Sequence, residues 1–82
     1  LQAVLHELPD DWIMFSFERA GMGWISILGK GNTRLFRLVS DRGYISVEKI
    51  VSGRPTFVDP PDELRINISP SQVAELILRH HR

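Results

Sequence analysis

The sequence has no cysteine among its 82 residues. That removes disulfides, thiolate nucleophiles and thiolate metal ligands together. It is the usage of a reducing compartment, and with no signal-peptide pattern the expected location is cytoplasmic. Long apolar runs are also missing. None approaches the roughly 18 residues of a membrane-spanning helix, so no membrane partner is expected. Net charge is missing too, because ten Lys and Arg balance ten Asp and Glu. There is no internal repeat, no low-complexity tract and no long linker. The first residue is Leu1 rather than Met, which leads to the expectation of a segment cut from a longer protein.

What is present is the material of one small domain spanning residues 1–82. Hydrophobic residues make up 43% and charged residues 24%, enough apolar matter to offset chain entropy. The core will be small, so stability is modest or assisted by a partner. The balanced charges are not evenly spread. Residues 1–11 carry Glu7, Asp10 and Asp11 and no cation. Residues 12–57 carry seven cations against Glu18, Asp41 and Glu48, a net +4. Residues 58–77 return to −3, and Arg79 and Arg82 follow. A basic middle between acidic flanks can polarise a surface; a solvated sheet of mixed charge reads the same way.

Leu1, Val4, Leu5 and Leu8 follow i, i+3, i+4, i+7 spacing, which allows a short N-terminal helix ended by Pro9-Asp10-Asp11. Alternation then takes over. Ile13, Phe15 and Phe17 share one strand face, and Trp12, Met14, Ser16 and Glu18 the other. Strands are predicted at Trp24 to Leu28, Arg34 to Val39 and Tyr44 to Val51, with a short edge at Thr56-Phe57-Val58 and a last strand through Leu64, Ile66 and Ile68. Turns fall at Ala20–Gly23, Gly29–Asn32, Ser40–Gly43 and Ser52–Pro55. Ser69-Pro70-Ser71-Gln72 is a capping box opening a helix that carries Val73, Leu76, Ile77 and His80 on one face. The predicted fold is α+β: an antiparallel β-meander of five to six short strands with one C-terminal helix packed on one face.

Little of this looks chemical. Gly29-Lys30-Gly31-Asn32 suggests a phosphate cradle, but such a cradle leads into a helix whose amides meet the phosphate. Here two strands flank it, so a hairpin turn is the better account. His80 and His81 are adjacent and point about 100° apart on a helix, unlike the i, i+3 or i, i+4 pairs of helical zinc sites; no metal and no cofactor are expected. His80 should edge the core and His81 be solvated. A nucleophile elbow is absent, and Asp59, Asp62 and Glu63 lie in a Pro-rich loop. No enzyme activity is expected.

The sheet face away from the helix draws most interest. With the helix covering Ile13, Phe15, Ile25, Ile27, Ile45 and Val47, the other face shows Trp12, Met14, Ser16, Trp24, Ser26, Arg37, Tyr44, Ser46 and Glu48. Aromatic and basic groups interleaved on an open sheet suit stacked bases and neutralised phosphates. The same residue types anchor protein interfaces. Alternatively the sheet closes or dimerises and this face is a second core.

From Arg34 onward, the strand, the Asp41-Arg42-Gly43 turn, the next strand and "RINISPSQVAEL" resemble the positive-cofactor-4 transcriptional coactivator module. The Whirly and PUR families share its plan of a strand meander followed by a helix. The resemblance implies binding of single-stranded DNA or RNA across the sheet, commonly as a dimer, with Arg37, Arg42, Tyr44 and Lys49 as sheet contacts.

Two functions follow as expectations. In the first, the chain binds single-stranded nucleic acid, with Trp12, Trp24 and Tyr44 stacking on bases, Lys30, Arg34, Arg37 and Arg42 meeting phosphates, and Lys49 a further sheet contact by the resemblance. In the second, it is a protein-interaction or oligomerisation domain, with a homodimer allowed, that uses the same face.

Overall fold

Four turns, each with two central residues, fold the middle of the chain. Gly21-Met22, Gly31-Asn32, Arg42-Gly43 and Ser52-Gly53 lie inside the pairs Ala20–Gly23, Lys30–Thr33, Asp41–Tyr44 and Val51–Arg54. In the first two turns only the leading glycine has positive φ (55° and 58°), the sign pattern of type II′. In the other two both central residues do, with Arg42 at 52° and Ser52 at 53°, the pattern of type I′. Both types match the right-handed twist of the strands they join. Because each turn uses so few residues, the strands run longer than the composition suggests.

The computed structural model describes residues 2–58, 65–66 and 69–81. Helix α1 (Gln2–Glu7) leads into β1 (Trp12–Ala20), β2 (Gly23–Lys30), β3 (Thr33–Asp41), β4 (Tyr44–Val51) and β5 (Arg54–Phe57). A short β6 (Arg65–Ile66) and helix α2 (Pro70–His81) complete the order. The sheet is antiparallel in the order β1-β2-β3-β4-β5, and β6 shares the far edge of β4 by pairing Ile66 with Tyr44. The fold is α+β, a meander closed by a C-terminal helix, with the short N-terminal helix present. Leu1, Asp59, Pro60-Pro61, Asp62, Glu63, Leu64, Asn67, Ile68 and Arg82 lie outside the described residues.

Two ladders slip by one residue. Met14 pairs with Leu28 but Ser16 with Ile27, which leaves Phe15 extra on β1. Leu28 pairs with Phe36 but Gly29 with Arg34, which leaves Leu35 extra on β3. Each bulge reverses side-chain parity beyond it. Gly29 sits between the two, and a Cβ there would overlap the Thr33 carbonyl and approach Phe15 Cε1 at 3.0 Å. The glycine of the suspected cradle is thus required by close strand packing.

Directly paired residues share a face. Trp24, Ser26 and Leu28 therefore lie with Phe36, Leu38, Ile45 and Val47, and with Trp12, Met14 and Phe17 of β1. Helix α2 packs Val73, Ala74, Leu76 and Ile77 into this cluster, and Val4 of α1 joins it with Leu8. Fully burying a side chain such as Phe36, Leu38 or Ile77 contributes about 1.5–3 kcal/mol. The opposite face carries Ile13, Ser16, Ile25, Ile27, Arg37, Tyr44, Ser46 and Glu48. This corrects the predicted division. Ile45 and Val47 do lie under the helix, but Ile13, Ile25 and Ile27 do not, and Trp12, Met14, Trp24 and Ser26 take their place. The physical reason is the Leu35 bulge: without it, Ser26 would pair with Arg37, and the expected open face would be continuous.

The entry to α2 forms as its sequence dictates. The Gln72 amide donates to Ser69 Oγ at 3.2 Å, and the Ser69 amide donates to Gln72 Oε1 at 2.9 Å. At the other end, Lys49 Nζ donates to the His80 carbonyl at 2.6 Å, placing a cation on the negative end of the helix.

Candidate functional site

Trp12 is in the core. It is 5% exposed, tilted against Phe36 with ring centroids 6.0 Å apart and met edge-on by His81 at 5.2 Å. His81 is therefore half-buried rather than solvated. No base can stack on Trp12 without displacing these partners. Trp24 lies on the same helix-covered face, half-buried, with Phe17 at 5.7 Å. Tyr44 is exposed on the other face. The three aromatics do not form one platform.

The predicted cations are mostly engaged within the chain. Lys30 Nζ stands 3.4 Å from Asp11 and 5.7 Å from the Trp12 ring centroid. Arg34 lies over the Phe15 ring at 4.9 Å. Arg37 donates to Glu48 Oε1 at 2.9 Å, its cross-strand partner, and Glu48 is only 6% exposed. Arg42 sits in a turn, 3.9 Å from Asp41. Lys49 holds the end of α2. Lys30 and Arg34 share one end of the sheet, near the Gly31-Asn32 turn, while Arg42 and Tyr44 share the other. The structure brings together Trp12 with Lys30 and Arg37 with Glu48, and no larger subset.

A different set converges instead. Among the described residues, the exposed large apolar side chains are Ile13, Met14, Phe17, Met22, Tyr44 and Val51. Four of the six lie on β1 or its turn, so the apolar surface is concentrated at one side of the sheet. On the helix side, Gln2, Ala3, Met14, Phe17 and Trp24 line a groove of about 510 Å³. A second hollow of about 400 Å³, lined by Arg19, Gly21, Met22 and Gly23, shares Phe17 and Trp24 with it. Phe17 reaches this face only because the Phe15 bulge turns it over. Nothing in residue type signals that, so alternation groups Phe17 with Ile13 and apart from Trp12 and Met14, whose face it shares. Met22, 74% exposed at a turn, was legible only as a turn residue.

The two sheet edges differ. β1 is nine residues long, and no strand pairs with its outer edge among the described residues. β5 has four residues and includes Pro55, which has no amide hydrogen to donate. Among the described residues no group of three His, Asp or Glu is arranged to hold a metal ion, and no helix is long and apolar enough to cross a membrane. No family model, curated protein or solved structure matches the chain.

Proposed function

We infer that this chain is a non-enzymatic protein-interaction module that binds through the β1 side of its sheet. The observation that carries the reading is the long β1 edge together with the exposed Met14, Phe17 and Met22 beside Trp24, with Ile13 exposed on the opposite face. A free strand edge offers main-chain hydrogen bonds, and the adjoining groove offers pockets for side chains. Clustered exposed apolar residues mark contact surfaces, and aromatic residues such as Trp24 and Phe17 carry much of their energy. Nucleic-acid binding is supported less well, since Arg37 and Lys49 spend their donors inside the fold.

The test places a photo-crosslinking benzoylphenylalanine at Phe17 in the cells that make the protein, with Val51 as the control position. An adduct is expected at position 17, absent at 51 and lost on Met14→Glu. In parallel, a mixed-sequence single strand of about 20 nucleotides is titrated at low salt while tryptophan emission is followed. Emission should not change. A saturating quench that fades as salt rises would replace this reading with nucleic-acid binding.

A further inference from the structure

We propose that the partner of the β1 edge is a second copy of this chain, joined by antiparallel β1–β1 pairing across a two-fold axis; this rests on the protein-interaction reading above and names its partner. Three features of β1 converge on it.

The first is edge length. Edge strands that are short or carry Pro resist pairing. β5 has four residues with Pro55, and β6 occupies the rest of that side of β4. Among the described residues, only β1 offers an edge of nine residues.

The second is parity. In a two-fold pair that extends a sheet, each residue and the residue opposite it must point to the same side. In a regular strand, residues three apart never do. The Phe15 bulge changes this, because Met14 pairs with Leu28 and Phe17 with Ser26, both on the helix side. Trp12 and Arg19 likewise share that side, since Arg19 pairs with Trp24. A two-fold axis between Phe15 and Ser16 then sets Phe17 against Met14 of the copy, and Arg19 against Trp12. Met14 and Phe17, 41% and 46% exposed in one chain, become a four-residue apolar cluster about the axis. Thioether–aromatic contacts of this kind are favourable. A bulge in an edge strand ordinarily discourages pairing; here its extra residue falls at the axis, where each copy supplies one.

The third is charge. β1 is entered through Asp10-Asp11 and ends at Arg19-Ala20. Antiparallel pairing carries Arg19 to the acidic entry of the copy, where Asp10 and Asp11 form the turn between Pro9 and Trp12. Sliding the register two residues one way sets Arg19 against Asp10 but also Glu18 against Asp11, like charge on like; the other way sets Arg19 against Met14. The register that buries Phe17 on Met14 keeps Arg19 at the acidic entry without setting Glu18 on Asp11.

Sedimentation of the purified chain over a range of concentrations tests this, with Arg19→Glu, Asp10→Lys and the double variant. Each single change should raise the dimer dissociation constant tenfold or more, by setting like charges together. The double variant restores the opposite pair and should return within about threefold of the parent. Far-ultraviolet circular dichroism checks that each variant is folded, and neither residue lies in the core. A dimer indifferent to both single changes would overturn β1 pairing. So would a chain that stays monomeric to about 1 mM, near the limit of useful association. The photo-adduct at position 17 separates the two levels. A monomeric chain that still crosslinks to a different mass loses only self-pairing, whereas a monomer with no adduct loses the interaction reading as well.

Discussion

Arg37 and Glu48 face each other across β3 and β4 at 2.9 Å, with the Glu48 side chain 8% exposed and the Arg37 side chain 32% exposed. An exposed ion pair contributes about 0–1 kcal/mol. This one is different, because the carboxylate has little water to fall back on. Arg37→Ala leaves Glu48 buried with its cation gone and should cost about 1.5–3 kcal/mol in urea unfolding, the range for a hydrogen bond to a charged group. Replacing both residues with Met should cost less than Arg37→Ala alone, since no orphaned charge remains. A single-variant loss under about 0.5 kcal/mol would mean that the pair is effectively solvated. The pair also shows what residue type can and cannot reveal. Arg37 looks like a phosphate contact because its partner lies eleven residues away and is set by strand register. Lys49 misleads in the same way, since its acceptor is a carbonyl at the far end of the chain.

At the scale of elements, local signals were legible and the register between strands was not. Glycine and asparagine mark the turns, and Ser69 with Gln72 marks the start of α2, because each device is completed within four residues. The two bulges have no such mark. Phe15 and Leu35 are ordinary strand residues, and only pairing with β2 makes each of them extra. One inserted residue exchanges every side chain beyond it between the faces, so the strands were found but their faces were mis-assigned. The β1 bulge has its own support. Ser26, fully buried, donates through Oγ to the Ser16 carbonyl at 2.7 Å, just past the extra residue. Ser26→Ala removes that donor and leaves the carbonyl short of a partner, a cost of about 1–3 kcal/mol. Hydrogen exchange should show the change locally, with β1 amides losing protection while β3 and β4 keep theirs. Uniform loss across the sheet would mean that Ser26 supports the whole core rather than the bulge.

The whole molecule joins these scales through its size. Its radius of gyration, 11.6 Å, is close to the roughly 11.7 Å of a compact domain of this length. A domain this small has a correspondingly small stability margin. Self-pairing through β1 would then be a visible part of that stability, because binding to the native state alone raises it by mass action. At a total chain concentration a hundredfold above the dissociation constant, only about one chain in fifteen stays monomeric, and the gain is about 1.6 kcal/mol per chain. For a domain of 82 residues, each kcal/mol moves the midpoint by about 4–8 °C. The parent Tm should therefore climb by about 6 °C or more as concentration rises from below the dissociation constant to a hundredfold above it. Arg19→Glu should melt at nearly the same temperature throughout, at the value the parent approaches when dilute. A parent Tm that does not move with concentration would mean that the monomer carries the full stability and that β1 meets no second copy. If both proteins climbed together, the contact would lie on a surface that Arg19 does not touch. The chain carries no net charge, so the dimer rests on the Phe17–Met14 cluster more than on long-range attraction. Moderate salt should accordingly lower the parent curve only slightly, by screening Arg19 from Asp10.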